Sequence, residues 1–409
     1  MKTDSKCSPP PPDPRVPLSQ QGFWSGIDRE IEEKVGLGLA RQIVESTPCG
    51  PTRVIRNGRE MLHFASNDYL ALGWHPKVRL AYQTAPESSP AGAEASPLIL
   101  GATPAYSELV RTLCGWQKTE AAVVFSSGYA ANSGTINALV TSQDLILSDA
   151  LNHACLIDGC RLSKGTIQVY PHRDMDRLTS LMREHRQNFR MAFVITDSVF
   201  SMDGDLAPIP KIEAICREFQ AIPVLDEAHA SGVFGARGCG LLEEQGGDKN
   251  LWIKTGTLSK AIGCAGGFVV GNHLLSQALI HKARPWIFST ALPPAVLYAA
   301  ARSIEILQGM VDERSKLKLF GNRLRNRIQE LGYRTGSDET PIIPIYVDGP
   351  EQAIRLSEHL QEHGIYVPAI RPPTVPAHGC LLRVSINAAH TESDAEELLR
   401  RLASAKSSF

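Results

Sequence analysis

Seven short apolar runs recur between residues 121 and 271: AAVVF at 121–125, DLILS at 144–148, TIQVY at 166–170, MAFVIT at 191–196, IPVLD at 222–226, LWIKT at 251–255 and GFVVG at 267–271. Segments with helical spacing separate most of them, for example 173–188 and 209–219. A strand that is apolar on both sides must be covered on both faces. Strands of this kind alternating with helices predict a mostly parallel sheet inside a large α/β unit. The pattern changes near residue 300. An amphipathic stretch covers 294–331, and candidate strands at 342–347, 365–370 and 381–386 lie among helices at 350–363 and 391–404. That order predicts a smaller α+β unit. Upstream, apolar positions at helical spacing over 24–47 predict one or two helices, and RVIR, Asn57-Gly58 and MLHF predict a hairpin over 53–64. The expected division is a Pro-rich, poorly ordered tail at 1–22, an N-terminal arm and hairpin at 23–64, a large α/β domain at 65–295 and a small α+β domain at 296–409.

Bulk composition narrows the function classes. Lys plus Arg total 42 and Asp plus Glu 43, a net charge of -1, so nothing draws the whole chain to nucleic acid or to an anionic membrane. No apolar run reaches the length of a membrane-spanning helix. The N-terminus, MKTDSKCSPPPPDP, has no apolar core of a secretory signal. The nine cysteines are odd in number and form no C-x-x-C pair, which fits free thiols in a reducing, cytoplasmic setting rather than a disulfide framework or a zinc site.

In open α/β sheets ligands bind beyond the carboxyl ends of the strands. The residues that follow each apolar run are therefore the candidates. Ser126-Ser127-Gly128-Tyr129 lead into a helix and leave backbone N–H groups for an anion, although an ordinary strand-to-helix turn would look the same. His153 follows the second run, and alone it also fits a structural role. Asp197, Asp203 and Asp205 fit a hard-cation site or capped turns equally well. Asp226 ends a buried strand, where a carboxylate is costly without a partner; a salt bridge or a protonated heterocycle would satisfy it. His229 follows three residues later. Lys260 lies between two strand runs among small residues, and a desolvated lysine can form a Schiff base with an aldehyde. One cofactor accounts for the set. Pyridoxal 5'-phosphate needs a lysine for its aldehyde, an acid facing its pyridine nitrogen and an anion site for its phosphate. Lys260, Asp226 and the Gly128 turn supply these, and the His153 ring would stack on the cofactor plane.

At this point the chain resembles the α-oxoamine synthases, pyridoxal-phosphate enzymes of the fold-type I transferase superfamily. The resemblance spans roughly 36–403. It rests on SNDYLAL (66–72), AGAEASPLILG (91–101), FSSGYAAN (125–132), LNHACLIDG (151–159), DSVFSMDGD (197–205), DEAHASGVFG (226–235), TGTLSKAIG (255–263) and FSTALPP (288–294). It implies decarboxylative condensation of an amino acid with an acyl thioester. AIRPPTVP (369–376) with LLRVSINAAHT (381–391) is similar to the branch that joins L-alanine to a pimeloyl thioester, on CoA or acyl carrier protein, in biotin synthesis. A glycine-using sister acyltransferase remains an alternative. A scaffold that kept only the fold fits poorly with an intact Lys260, Asp226 and His153, and no G-x-G-x-x-G follows the first strand as an NAD enzyme would require.

By motif the resemblance implies that Lys260 holds the cofactor and shuttles the Cα proton, Asp226 pairs with the pyridinium, and His153 stacks on the ring. Ser201 and His229 would bond the phenolic oxygen or its surroundings, and backbone groups at Gly128 and Tyr129, with Thr257, would take the phosphate. Thr290 would reach the phosphate of a partner subunit in a homodimer with shared sites. Asn67 and Arg383 would hold the substrate carboxylate, with Arg41 nearby. The resemblance makes a metal site at 197–205 improbable and implies that Asp197 orients its neighbours. Where relatives commonly carry His and, four residues on, Glu, this chain has Tyr106 and Val110, a departure that bears on local packing and the acyl entrance.

Overall fold

A computed structural model describes residues 19–85 and 89–406. The expected tail lies outside the described residues except for its last four positions. There Ser19 caps the first helix, α1 (Gln20–Gly36), by accepting the Gly22 N–H. Three N-terminal strands follow, β1 (Ser46–Pro48), β2 (Arg53–Arg56) and β3 (Arg59–His63), then α2 (Pro76–Gln83) and α3 (Pro104–Gln117). Next come β4 (Ala121–Phe125), α4 (Gly128–Leu139), β5 (Asp144–Asp149), α5 (Ala154–Leu162), β6 (Thr166–Tyr170), α6 (Met175–His185), β7 (Met191–Asp197), α7 (Ile209–Glu218) and β8 (Ile222–Asp226). The large unit is completed by α8 (Leu241–Glu244), β9 (Ile253–Thr257), β10 (Gly267–Gly271), α9 (His273–Lys282) and α10 (Arg284–Ile287). Two long helices, α11 (Pro294–Gln308) and α12 (Val311–Glu330), lead to β11 (Ile342–Tyr346), α13 (Pro350–Glu362), β12 (Ile365–Tyr366), β13 (Ala369–Ile370), β14 (Leu381–Ser385) and α14 (Glu392–Lys406).

All seven apolar runs form one sheet, ordered β4-β10-β9-β8-β7-β5-β6. Only β10 runs antiparallel to its neighbours. The two-residue period divides each strand between two cores. Val123 and Phe125 meet α4, α9 and α10 on one face. Ala122 and Val124 face Leu109, Leu113 and Trp116 of α3 on the other. Register then collects the strand ends on one edge: Asp197 is opposite Asp226, Asp226 opposite Thr255, and Gly267 opposite both Thr257 and Phe125.

Two segments differ from the expected ones. Of residues 24–47 only those up to Gly36 are helical; Gly38 then turns with φ +67 and a short strand forms at 46–48. Phe23, Trp24, Ile31, Val35, Leu37 and Ile43 are exposed, so within one chain no core holds this apolar stripe in a longer helix. The run 365–370 is divided at Pro368, which has no N–H for a ladder. Its first half, β12, pairs in parallel with β3, which ties the C-terminal segment to the hairpin; its second half, β13, pairs with β14. The hairpin turns at Asn57-Gly58, both with positive φ, as a two-residue loop of this type requires.

The loop after β9 carries Lys260 and closes through the Gly263 N–H to the Lys260 carbonyl at 2.7 Å. Ser303 of α11 donates to the Ile262 carbonyl at 2.6 Å. Gly263 has φ +71, and a Cβ there would collide with the Gly73 backbone nitrogen, which Asp68 holds at 2.9 Å. Gly263→Ala is expected to cost about 2–3 kcal/mol through left-handed strain and the collision. Gly26→Ala, in the open middle of α1 with nothing within 4 Å, is expected to be neutral or stabilising by up to about 1 kcal/mol. Urea unfolding of both variants checks the pair; equal effects would contradict this account of the loop.

Candidate active site

Asp226 is only 4% exposed at the end of the central strand β8. Its Oδ1 accepts the Ala228 N–H at 2.8 Å and its Oδ2 accepts Asn132 Nδ2 at 2.7 Å. Asn132 is buried in the first turns of α4, where small neighbours let the helix approach the sheet. Its own Oδ1 receives the Thr255 hydroxyl at 2.5 Å. Neutral donors therefore hold the Asp226 carboxylate, and among the described residues no cation lies within ion-pair distance of it.

Lys260 approaches the same edge. Burial lowers its ammonium to about 8, opposed chiefly by the negative charge of Asp226. Asp197, completely enclosed at the end of β7, is pushed well above the carboxylate range by burial and then by the charge of Asp226. Its Oδ2 accepts the His153 N–H at 2.7 Å, while its own N–H donates to Asn152 Oδ1 at 3.1 Å. His153 caps the N-terminus of α5, its Nδ1 accepting the Cys155 N–H at 3.2 Å. Burial outweighs the attraction of Asp226 and lowers His153 below the usual imidazole range. His229 is lowered well below that range by burial, then by the positive charge of Lys260 and Arg383, so its ring is neutral. Its Nδ1 lies 2.7 Å from the Tyr69 hydroxyl.

The structure also joins Asn67 to Arg383. The Arg383 Nη1 donates to Asn67 Oδ1 at 3.0 Å and to Ser385 Oγ at 2.6 Å, Nε to the Ser201 carbonyl at 2.5 Å, and Nη2 to Tyr69 Oη at 3.3 Å. Four of the five guanidinium N–H bonds are thus used by the protein, and among the described residues one on Nη2 has no acceptor. Ser201 meets this group through its carbonyl oxygen. Gly128 and Thr257 are also brought together: a Cβ at Gly128 would lie 3.2 Å from the Thr257 side chain. The start of α4 and the end of β9 so form a close backbone surface at a helix N-terminus, the setting that favours a phosphate. Tyr129, beside it, is half-exposed and its hydroxyl donates to Asp158.

Two candidates lie elsewhere within the single chain. Thr290 is exposed in the 288–292 segment and shares a small hollow with Tyr106, Ser126 and Trp286. The Arg41 guanidinium donates to Thr374 Oγ1 at 3.3 Å, on the 371–376 loop. The aspartates of 197–205 diverge: Asp203 receives the Tyr346 hydroxyl at 2.9 Å, and Asp205 pairs with His172 at 2.6 Å and Arg173 at 3.2 Å. Tyr106 occupies the departure site with its hydroxyl accepting the Val124 N–H at 3.4 Å.

Sequence reasoning missed Asn132, Tyr69 and Cys155 as members of the cluster. Each stood inside a quoted motif. A buried amide among small helical residues was the available signal for Asn132; nothing local marked Tyr69, whose partners are His229 and Arg383.

The pyridoxal-phosphate fit is direct. A buried carboxylate with no cation at ion-pair distance among the described residues, a lysine lowered to about 8 and a glycine-lined helix start suit the cofactor's pyridinium, aldehyde and phosphate. A family described as aminotransferase class I and II matches residues 59–402. The chain is 41% identical over 379 residues to 8-amino-7-oxononanoate synthase of Geobacter sulfurreducens, covering 92% of this chain and 97% of that one. It superposes on a serine palmitoyltransferase variant from S. paucimobilis bound to a PLP–myriocin aldimine, with TM-score 0.90, 29% identity and coverage of 96% and 99%. An 8-amino-7-oxononanoate synthase from Francisella tularensis gives TM-score 0.73 at 26% identity, with coverage of 85% and 98%.

Because Lys260 is lowered in the fold, the unfolded chain binds more protons between about pH 8 and 10.5. The cofactor-free protein should therefore gain stability relative to Lys260→Met as pH rises through that window, and show a constant difference below it. Urea unfolding of both proteins across the pH series checks this. The chain belongs to the class I and II aminotransferase family of pyridoxal-phosphate enzymes, in the α-oxoamine synthase branch that holds the 8-amino-7-oxononanoate synthases.

Proposed function

We propose that this chain condenses L-alanine with a pimeloyl thioester, on CoA or acyl carrier protein, releasing the thiol and CO2 to give 8-amino-7-oxononanoate for biotin synthesis. The observation that carries the reading is the pairing of a half-buried lysine lowered to about 8 with a buried carboxylate that only neutral groups hold. Pyridoxal phosphate, when bound, supplies an electron sink for the charge left at Cα when one of its bonds breaks.

The chain's own groups do the rest. Asp226 holds a proton on the ring nitrogen, and Asn132 and Ala228 keep its carboxylate aimed. Lys260 is neutral in a useful fraction near physiological pH, so it can take the alanine Cα proton and later return one. Arg383 is fixed by Ser201, Asn67, Ser385 and Tyr69, and its spare Nη2–H meets the alanine carboxylate; Asn67 lies beside it. Gly128, Tyr129 and Thr257 receive the phosphate. His153 would cover the ring face, while Ser201 and His229 would lie at the phenolic oxygen or its surroundings. The Cα carbon then bonds to the thioester carbonyl carbon as the C–S bond breaks, and the original alanine carboxylate leaves as CO2.

A homodimer is part of this reading. Its support is the exposed apolar stripe of α1, with exposed Leu98, Ile99, Leu100 and Phe288. Thr290 would then serve the partner's phosphate site. Arg41, bonded to Thr374 of the 371–376 loop, would act on the same substrate region. A cytoplasmic setting fits free thiols; among the described residues no helix is long and apolar enough to cross a membrane. A division into an arm, a large domain at 65–295 and a small domain at 296–409 accompanies the proposal.

Thiol release measured with alanine, glycine and serine against pimeloyl-CoA and pimeloyl-acyl carrier protein is the direct test. Turnover should be highest with alanine, and Lys260→Ala should lower it by about 10³-fold or more while removing the cofactor's visible band. Preference for glycine with a short acyl thioester would move the chain to a sister acyltransferase. A wild-type protein that stays colourless with added pyridoxal phosphate would remove the reading at its base.

A further inference from the structure

A continuous chain of hydrogen bonds joins Asp226 to the His153 ring, and each donor in it can be assigned. Thr255 Oγ1 sits 2.5 Å from Asn132 Oδ1, which can only accept, so the hydroxyl donates. That fixes the amide with Nδ2 toward the other side. There it has two acceptors for its two hydrogens, Asp226 Oδ2 at 2.7 Å and Cys155 Sγ at 3.2 Å. Cys155 Sγ has one further neighbour of this kind, His153 Nδ1 at 2.9 Å. Asn132 Nδ2 is a donor only, so the thiol hydrogen has no use on that side. The same Nδ1 already accepts the Cys155 backbone N–H at 3.2 Å, which identifies Nδ1 as the lone-pair nitrogen.

We propose that Cys155 is a positioning residue for His153: its S–H donates to Nδ1 and holds the neutral imidazole with its proton on Nε2. The inference rests on the cofactor reading of the site and deepens it. The thiol is buried, and burial together with the charge of Asp226 pushes it well above the ordinary cysteine range, so sulfur keeps the hydrogen it donates. The His153 N–H is tied independently to Asp197 Oδ2 at 2.7 Å, so the backbone beneath the ring is fixed as well. The result is a ring that presents Nε2–H, a donor, on the side away from α5. Such a donor suits the oxygen of a thioester carbonyl or of a keto group, both of which gain negative charge as Cα bonds form or break. The opposite tautomer would place an N–H against the Cys155 backbone N–H, leave the thiol hydrogen without an acceptor, and present a lone pair to that oxygen. Asn132 serves both ends, since the amide that aims Asp226 also receives nothing from sulfur and so leaves the thiol hydrogen for His153.

The test compares the wild-type holoenzyme with Cys155→Ala and Cys155→Ser, each labelled with ¹⁵N-histidine. The His153 ring signals are identified by their loss in His153→Asn. Wild type should show a pyrrole-like Nε2 and a pyridine-like Nδ1. Cys155→Ala keeps the backbone N–H donor at 3.2 Å but loses the S–H, so it should shift His153 partway toward the other tautomer and lower kcat about tenfold, with KM for alanine within about twofold. Cys155→Ser, whose hydroxyl can replace the S–H, should restore the wild-type ring signals and most of kcat. An unaltered tautomer and kcat in Cys155→Ala would overturn the proposal, and so would a serine variant that behaves like alanine. The ring signals report on His153 itself; a colourless wild type would sink the proposed function without deciding the tautomer.

Discussion

A carboxylate buried at the end of the central strand is the constraint around which this molecule is built. Asp226 has neighbours on both sides, β7 and β9, and is nearly sealed from water. A charge so placed is costly unless hydrogen-bonded and paired. The protein meets the first need with Asn132 and the Ala228 N–H. In the proposed function the second is met by the cation of the cofactor's heterocycle. Asp197, in register beside Asp226, cannot share the charge cheaply and is pushed up instead. It acts on its surroundings by holding the His153 backbone.

That arrangement requires rigid support, and the neighbouring acid supplies some of it. Glu227 is completely buried and accepts the Leu241 and Leu242 N–H groups, each at 2.9 Å, while Lys254 stands 3.8 Å away. Thus the residue after Asp226 anchors the start of α8 on the opposite face of the strand end. Lys254 is in turn bonded to Gln117 of α3 at 2.7 Å. Farther along the edge, His172 bridges Asp149 at 2.8 Å and Asp205 at 2.6 Å, and Arg173 reaches Asp338 of the C-terminal segment at 3.1 Å. The two carboxylates raise His172 to about 9, against burial, so the bridge is charged at neutral pH. These contacts hold the β5, β7 and C-terminal segments around the site.

Much of the sheet was legible because each buried strand carries its whole signal in a run of five to seven residues. Lys260, Asp226, His153 and His229 were legible for a related reason: they follow those runs directly. Contacts between distant segments were not. Tyr69 and Arg383 are 314 positions apart, and no local pattern joins them. Asn132 lies inside a helix of small residues, where its amide resembles an ordinary polar position until the Asp226 and Thr255 contacts are seen. The apolar period over 24–47 misled about length because period reports a face and not the surface that covers it. Pro368 was visible, but its consequence, two short strands with different partners, depends on where β3 and β14 lie.

The central claim is that Asp226 keeps a proton on the cofactor's ring nitrogen. The most direct measurement is the ¹⁵N chemical shift of that nitrogen in labelled pyridoxal phosphate bound to the wild type and to Asp226→Asn. A protonated, pyridinium-like shift in the wild type that becomes a neutral, pyridine-like shift in the variant is the predicted result. A neutral ring nitrogen in the wild type, or the same shift in both proteins, would contradict the account.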